Sequence, residues 1–424
     1  MSLVKTSALS ALSVVTRILT SILLNKVVAV YVGPSGYGII GQFQSLVGIV
    51  STMASGGVNS GVTKYTAEYI GKEDRQRLVW NTAAGLGLIG AAVCAAALVL
   101  AREPIARWAL GDVERASVLV WLGASLVFLV LNGLMLAILT GRKAVRSLVV
   151  ANIAGSLTSA AVAAALVSTQ GLDGALLAIA LSQAIAFVFT VVVFRSSVGA
   201  MRMLFGRIQP QLVRRLGGYA LMAATSALAT PLAQIFIRDR LASDLGWVNV
   251  GLWQALWKFS EFHLLLLTST LSVYLLPRFA EIQDPGELVR EVRAAYRFVL
   301  PLSVTTCVLI YLLRTPLIHG LLTAEFLPLA GLLGVQLLGD LLKINSWVMA
   351  YTTISHAMTR VFIATEVTFA LLLAASTVLM ARQWGLMGAA AAYAFTYVLY
   401  WIVMALVFRH LVSRLRHSAF QASP

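Results

Sequence analysis

Two polar stripes interrupt stretches of sequence that are otherwise apolar. They share one i, i+4, i+7 spacing and consist of Gln254, Lys258 and Glu261, and of Gln336, Asp340 and Lys343. Residues at this spacing lie on one face of an α-helix. Each lysine offers an ammonium donor that suits a phosphate, and each stands three residues from a carboxylate that can partly neutralise it. The stripes therefore predict either a hydrated cavity for a polar ligand or internal ion pairs that hold helices together.

Further ionisable side chains lie inside apolar segments. The basic ones, including both stripe lysines, are Arg17, Lys26, Lys258 and Lys343. The acidic ones are Glu261, Asp340 and Glu366. A charge at the bilayer centre costs about 2.5–3.5 kcal/mol on insertion scales, so such groups are expected to face a protein interior or water. The balance predicts a cationic inner surface for an anionic group, although Lys26 could instead reach the interface near a helix end.

Signatures of covalent chemistry are missing from the sequence. It contains no Walker motif, no zinc-protease HExxH and no nucleophile elbow. The two cysteines, Cys94 and Cys307, indicate neither a disulfide framework nor a metal site. His263 and His356 are weaker candidates for a proton relay. We therefore predict no catalytic residue, no metal and no cofactor.

The elements that carry these side chains are predicted to be membrane-spanning helices. The chain of 424 residues is 59% hydrophobic and 12% charged, whereas soluble domains carry about 25% charge. Apolar runs long enough to cross a bilayer recur along it. Twelve spans are predicted, near residues 6–30, 38–62, 79–101, 117–140, 147–169, 174–195, 217–239, 251–276, 297–314, 328–353, 361–381 and 387–408.

The second half of the sequence repeats features of the first. Gly171-Leu172-Asp173-Gly174-Ala175 returns as Gly385-Leu386-Met387-Gly388-Ala389, and Arg102-Glu103-Pro104-Ile105 returns as Arg314-Thr315-Pro316-Leu317. We therefore predict two six-helix lobes, with residues 1–195 as the first, 196–216 as a cytoplasmic linker, and 217–424 as the second with a short basic tail. This arrangement is typical of transporters with parallel repeats.

Basic residues indicate the orientation of the predicted helices. Most lysines and arginines fall on one side when both termini are cytoplasmic, which agrees with the positive-inside rule and explains most of the net charge of +15. This assignment places Arg238 and Arg240 at an outer helix end. Pro231, in the middle of the seventh span, predicts a kink and a hinge, because proline removes a helical hydrogen bond.

Four motifs resemble those of the Wzx-type polysaccharide flippases. They are Val32-Gly33-Pro34-Ser35-Gly36-Tyr37-Gly38, Gly61-Val62-Thr63-Lys64-Tyr65, Tyr274-Leu275-Leu276-Pro277 and the stretch from Gln336 to Lys343. These flippases belong to the multidrug/oligosaccharidyl-lipid/polysaccharide exporter superfamily. The resemblance implies an all-α membrane protein whose two six-helix lobes form a V around a cationic lumen. It adds Lys64 to the predicted substrate-binding residues and supports Arg17, Lys258, Asp340 and Lys343.

The function implied by the resemblance is translocation of an undecaprenyl-diphosphate-linked oligosaccharide across the bacterial inner membrane. The glycan would be an enterobacterial common antigen or O-antigen unit, with a polysaccharide polymerase and a chain-length regulator as partners. Gln254, Glu261, Gln336, Asp340 and Glu366 are the predicted coupling residues. The main alternative is a multidrug/cation antiporter of the same superfamily, which would need an acidic residue in the first or seventh helix. A membrane-embedded glycan polymerase or ligase is a weaker alternative, because the sequence lacks large outer loops.

Overall fold

The computed structural model describes residues 3–199, 201–282, 284–356 and 358–421. Throughout these ranges the secondary structure is helical, without a strand. The α-helices are α1 (Leu3–Ser55), α2 (Asn59–Glu68), α3 (Glu73–Leu100), α4 (Arg102–Ala109), α5 (Ala116–Gly141), α6 (Val145–Ser197), α7 (Pro210–Leu245), α8 (Trp247–Glu281), α9 (Pro285–Leu312), α10 (Arg314–Leu321), α11 (Leu329–Ser355) and α12 (Thr359–Gln421). Two 3₁₀ turns follow α6 and α10, at Met201–Leu204 and Ala324–Phe326.

The three longest helices are each broken at one glycine. The breaks lie at Gly33 in α1, Gly171 in α6 and Gly385 in α12, and their φ values are 68°, 57° and 57°. The ψ values of Gly171 and Gly385 are −126° and −141°, a backbone region that side chains with a Cβ rarely adopt. Each break falls between two predicted spans, so each of these three long helices contains two predicted spans.

The helix order of residues 73–197 returns in residues 285–421. A long helix, a short helix, a second long helix and a glycine-broken helix follow one another as α3 to α6 and again as α9 to α12. The breaks at Gly171 and Gly385 occupy equivalent places in the two series. The sequence repeat therefore has a counterpart in the order of helices.

The predicted second span, 38–62, differs from the structure at its end. Helix α1 stops at Ser55, and Gly56 and Gly57 then turn the chain with φ values of 59° and 62° before α2 begins. Two consecutive positive φ values end a helix, and glycine adopts them at low cost. Helix α9 begins at Pro285, earlier than the ninth predicted span, 297–314. The Asp284 carboxylate caps this helix by accepting from the Glu287 amide at 2.6 Å.

Six helical segments of the described residues are long and apolar enough to cross a membrane. They are Leu12–Ser55, Glu73–Leu100, Ala116–Gly141, Val145–Ser197, Pro285–Leu312 and Thr359–His417. The chain is thus an all-helical protein of the integral membrane class. It divides into two compact units, Met1–Ile235 and Phe236–Pro424. The proposed lobe boundaries at residues 195 and 217, with a linker over 196–216, stay a prediction.

Each unit has its own apolar core. In the first unit, α2, α3, α5 and the end of α6 pack around Trp80, Ile138 and Phe194. In the second, α8, α9, α11 and α12 pack around Phe279, Ile344 and Met404. Helix α11 packs against three long helices, α8, α9 and α12. This central position explains how apolar packing can bring side chains from distant segments to Asp340.

Candidate functional site

The polar stripe of α8 contains a local ion pair. The Lys258 Nζ atom lies 2.7 Å from Glu261 Oε2, with both residues on one helix face. The Glu261 side chain is half exposed, and that of Lys258 is mostly covered. The i, i+3 pairing predicted from the sequence is therefore formed. Since the carboxylate is within hydrogen-bond distance, it largely cancels the positive charge of Lys258.

The third stripe residue of α8, Gln254, has a buried arginine as its partner. Arg238 Nε and Nη2 both donate to Gln254 Oε1, at 3.0 and 2.7 Å. The guanidinium also lies 5.5 Å from the centre of the Trp253 ring. Arg238 is only 2% exposed, although the charge pattern places it at an outer helix end. The charge pattern does not predict this burial, because the sequence does not show that Gln254 is the partner of Arg238.

The polar stripe of α11 is part of a buried hydrogen-bond network. Gln336 Nε2 donates to Ser260 Oγ at 2.8 Å. Asp340, whose exposure is 0%, accepts from the Tyr393 hydroxyl at 2.8 Å. Its other carboxylate oxygen lies 3.4 Å from His263 Nδ1, and His263 Nε2 lies 2.9 Å from Thr306 Oγ1. The network joins α8, α9, α11 and α12. The side chains of Asp340, Tyr393 and His263 are all buried.

Lys343 is surrounded by aromatic rings. Its Nζ atom lies 4.9 Å from the ring centre of Tyr397, 5.3 Å from Trp347, 5.5 Å from Trp257 and 5.6 Å from Tyr393. These distances are typical of cation–π contacts. We call Lys343 and these four rings the lysine cage.

The predicted Asp340–Lys343 ion pair is not formed among the described residues. Asp340 instead binds Tyr393 and His263, while Lys343 turns to the aromatic rings. Glu366 on α12 interacts with Lys343 electrostatically, without an ion-pair contact to it in the described part of the chain. The i, i+3 spacing permitted the Asp340–Lys343 pair, but buried partners on other helices compete successfully for the carboxylate.

Three further basic candidates and the predicted hinge residue lie in the first unit. Arg17 is exposed and Lys26 half-buried on the part of α1 before Gly33. Lys64 is exposed on α2, with its Nζ atom 5.7 Å from the centre of the Tyr65 ring. Helix α7 continues through Pro231, whose hinge role stays a prediction. In the predicted Tyr274–Pro277 motif, the side chains of Tyr274, Leu276 and Pro277 lie outside the described part of the structure.

Sequence reasoning missed three groups of the second unit. His263 was a weak proton-relay candidate away from the polar stripes, yet it contacts Asp340. Tyr393 and Tyr397 carried no sequence signal as partners of a charge. Trp257 was not among the predicted site residues, and its ring is buried beside Lys343. Four-residue spacing of Trp253 with Trp257, and of Tyr393 with Tyr397, was the available signal, since it predicts aromatic faces on two helices.

Comparisons with known proteins agree with this architecture. An inward-facing multidrug resistance MATE family transporter of the MOP superfamily has a TM-score of 0.82 with this chain, covering 96% of each at 16% identity. The Lipid III flippases of Escherichia coli (strain K12) and Shigella flexneri are each 30% identical over 410 residues, 96% of this chain and 98% of theirs. A family model described as polysaccharide biosynthesis protein matches residues 2–283.

The fold is therefore that of an all-helical membrane transporter of the MATE type. Within that class, the chain belongs to the polysaccharide biosynthesis protein family. The family resemblance found in the sequence motifs is confirmed.

Proposed function

We propose that this protein is a flippase that moves an undecaprenyl-diphosphate-linked oligosaccharide from the inner to the outer leaflet of the bacterial inner membrane. The observation that carries the proposal is the match to two Lipid III flippases along nearly the whole of both chains. An enterobacterial common antigen unit is the favoured glycan, and an O-antigen unit is the alternative. A polysaccharide polymerase and a chain-length regulator are the proposed partners.

The architecture proposed for this activity has twelve crossings in two six-helix lobes, with both termini cytoplasmic. Helix α6 has 53 residues, and at about 1.5 Å per residue it would be far longer than the ~30 Å hydrocarbon core. The glycine breaks in α1, α6 and α12 support two crossings for each of these helices. The lobes would rock about a lumen lined by Arg17, Lys26, Lys64, Lys258 and Lys343, with Pro231 as a hinge.

The proposed mechanism uses the charge of the substrate. The diphosphate and glycan occupy the lumen while the polyprenyl chain stays in the lipid. A membrane potential that is negative inside favours outward movement of an anion by about 2.3 kcal/mol per charge per 100 mV. Coupling to H⁺ or Na⁺ through Glu261, Asp340 or Glu366 is the alternative source of energy, and it predicts dependence on an ion gradient instead.

Leaflet translocation in proteoliposomes tests the proposal directly. A fluorescent undecaprenyl-diphosphate oligosaccharide is offered to wild type, Arg17→Ala and Lys258→Ala, with Lys72→Ala as an exposed control outside the proposed lumen. We expect wild type and the control to flip the lipid and the two lumen variants to lose most of this activity. The double variant Lys258→Ala/Glu261→Ala separates loss of a cation from exposure of an unpaired acid.

The same vesicles distinguish the competing functions. Potassium–valinomycin gradients set the potential at constant pH, and an accelerated flip under the favourable potential supports anion movement. Acceleration by a pH or Na⁺ gradient alone would favour ion coupling. Transport of cationic drugs without any flipping of the lipid would contradict the proposal and favour the antiporter. Covalent change in the glycan would revive a polymerase or ligase.

A further inference from the structure

The two candidate lysines of the second unit differ in how their charge is stabilised. Lys258 is paired with a carboxylate at 2.7 Å. Lys343 has no hydrogen-bond acceptor or ion-pair contact for its ammonium within the described ranges, and four aromatic rings surround it instead. A carboxylate cancels the charge of a lysine, whereas the quadrupole of a ring stabilises the charge without neutralising it. Glu366 interacts with this charge electrostatically but makes no ion-pair contact with the ammonium in the described residues, so the ammonium has no directly bound anion there.

The lysine cage is partly exposed. Trp257 and Tyr393 are buried and form its inner wall, while Lys343, Trp347 and Tyr397 are half-buried. The rings come from α8, α11 and α12, so packing of three helices fixes the position of the ammonium. Partly exposed aromatic side chains beside a cation offer an apolar surface to a sugar ring whose substituent binds the cation.

A second, independent feature of the cage indicates a missing acceptor. Trp257 is 5% exposed, and its indole Nε1 has no hydrogen-bond partner among the described residues. A buried donor without an acceptor is destabilising and rare in native proteins. It occurs here on a ring that contacts the lysine, so two donors of the same cluster lack an acceptor in the described part of the chain.

We infer that the lysine cage is a binding site for the anionic group of a saccharide. A phosphate or a carboxylate on a pyranose ring accepts from Lys343 Nζ, Trp257 Nε1 gains an acceptor, and the sugar lies against Trp347 and Tyr397. The inference rests on the proposed function and deepens it, because it assigns the anionic group to one lysine of the proposed lumen, Lys343, together with the rings around it. The anion comes either from the lipid-linked phosphate or from an acidic sugar within the glycan.

Binding of soluble sugars to the purified full-length protein tests the site without requiring transport. The probes are glucose 1-phosphate, glucuronate and neutral glucose, measured by saturation-transfer NMR titration. We expect at least one anionic probe to bind about tenfold or more tightly than glucose, since charged hydrogen bonds are the stronger ones. Preference for glucose 1-phosphate identifies the lipid-linked phosphate, and preference for glucuronate identifies an acidic sugar. Equal binding of glucose would overturn the inference.

Substitutions in the cage locate the binding. Lys343→Gln is expected to weaken binding of the anionic probe about tenfold or more. Lys343→Arg is expected to retain this binding, because arginine keeps the charge. Trp257→Phe keeps a ring but loses the N–H, so a smaller loss of about threefold to tenfold is expected. Arg314→Gln removes another ring-bound cation, and Trp121→Phe removes the N–H of an exposed indole; both are controls expected to bind normally.

Comparison with flipping separates this inference from the proposed function. Anion binding unchanged by Lys343→Gln, in a protein that still melts cooperatively, would overturn the site even if wild type flips the lipid. Lys343-dependent binding in a protein that flips no lipid would keep the site and refute the flippase. If Lys343→Gln does not fold, the other two variants decide the question. Weaker anion binding by Trp257→Phe together with normal binding by Lys343→Arg supports the site. Normal anion binding by Trp257→Phe counts against it.

Discussion

The hydrogen bond between Tyr393 and Asp340 predicts a measurable coupling energy. Both side chains are almost completely buried, and the hydroxyl oxygen lies 2.8 Å from the carboxylate. Asp340→Ala removes the acceptor of the Tyr393 hydroxyl and the neighbour of His263 Nδ1, while Ser260 and Thr306 stay as the other partners of these two residues. Each buried atom left unsatisfied costs about 1–3 kcal/mol. We therefore expect Asp340→Ala to lower the free energy of unfolding by about 2–6 kcal/mol before any cavity cost.

The double variant isolates the contribution of this bond. Tyr393→Phe removes the donor, so the hydroxyl is no longer orphaned when Asp340 is also replaced. The cost of Asp340→Ala/Tyr393→Phe should thus be about 1–3 kcal/mol smaller than the sum of the two single costs. The free energies are measured by reversible unfolding of the purified protein in mixed micelles.

A parallel cycle with Tyr400→Phe is the control. Tyr400 is also buried on α12 and packs on Phe369 at 4.8 Å between ring centres, without a hydrogen bond to Asp340 in the described structure. Its cost and that of Asp340→Ala should add to within about 0.5 kcal/mol. Additive costs for Tyr393 as well would refute a direct bond between Tyr393 and Asp340.

Three further predictions concern packing and backbone. Gly339→Ala should cost about 1–3 kcal/mol of unfolding free energy, because the new Cβ meets the buried Tyr393 ring; Gly331→Ala on the same helix, with open space around it, should not. Arg238→Lys should cost about 1.5–3 kcal/mol by losing a two-nitrogen contact to its glutamine acceptor, and an unchanged unfolding curve would contradict this. Gly385→Ala should cost about 1–3 kcal/mol through backbone strain alone, since no atom lies within 4 Å of the added Cβ; thermal melting tests this.

The sequence by itself predicted the helical membrane class and most helix positions. Apolar runs of bilayer length require internally satisfied backbone, so helices follow from composition. The breaks near Gly171 and Gly385 were also predictable, because the repeated glycine motifs separate two apolar runs. The contact between Lys258 and Glu261 was predictable for a related reason. Residues three apart on one helix are neighbours whatever surrounds the helix.

Only the tertiary structure decided which charges stay available. Asp340 and Lys343 have the same i, i+3 spacing as Lys258 and Glu261, yet they separate. Asp340 finds partners 77 residues before it, at His263, and 53 residues after it, at Tyr393. Such partners depend on the packing of α8, α11 and α12. The physical reason is that a helix determines the distance between its own side chains, whereas burial favours pairing of a polar group with the donor or acceptor that tertiary packing places nearest, on whichever helix it lies.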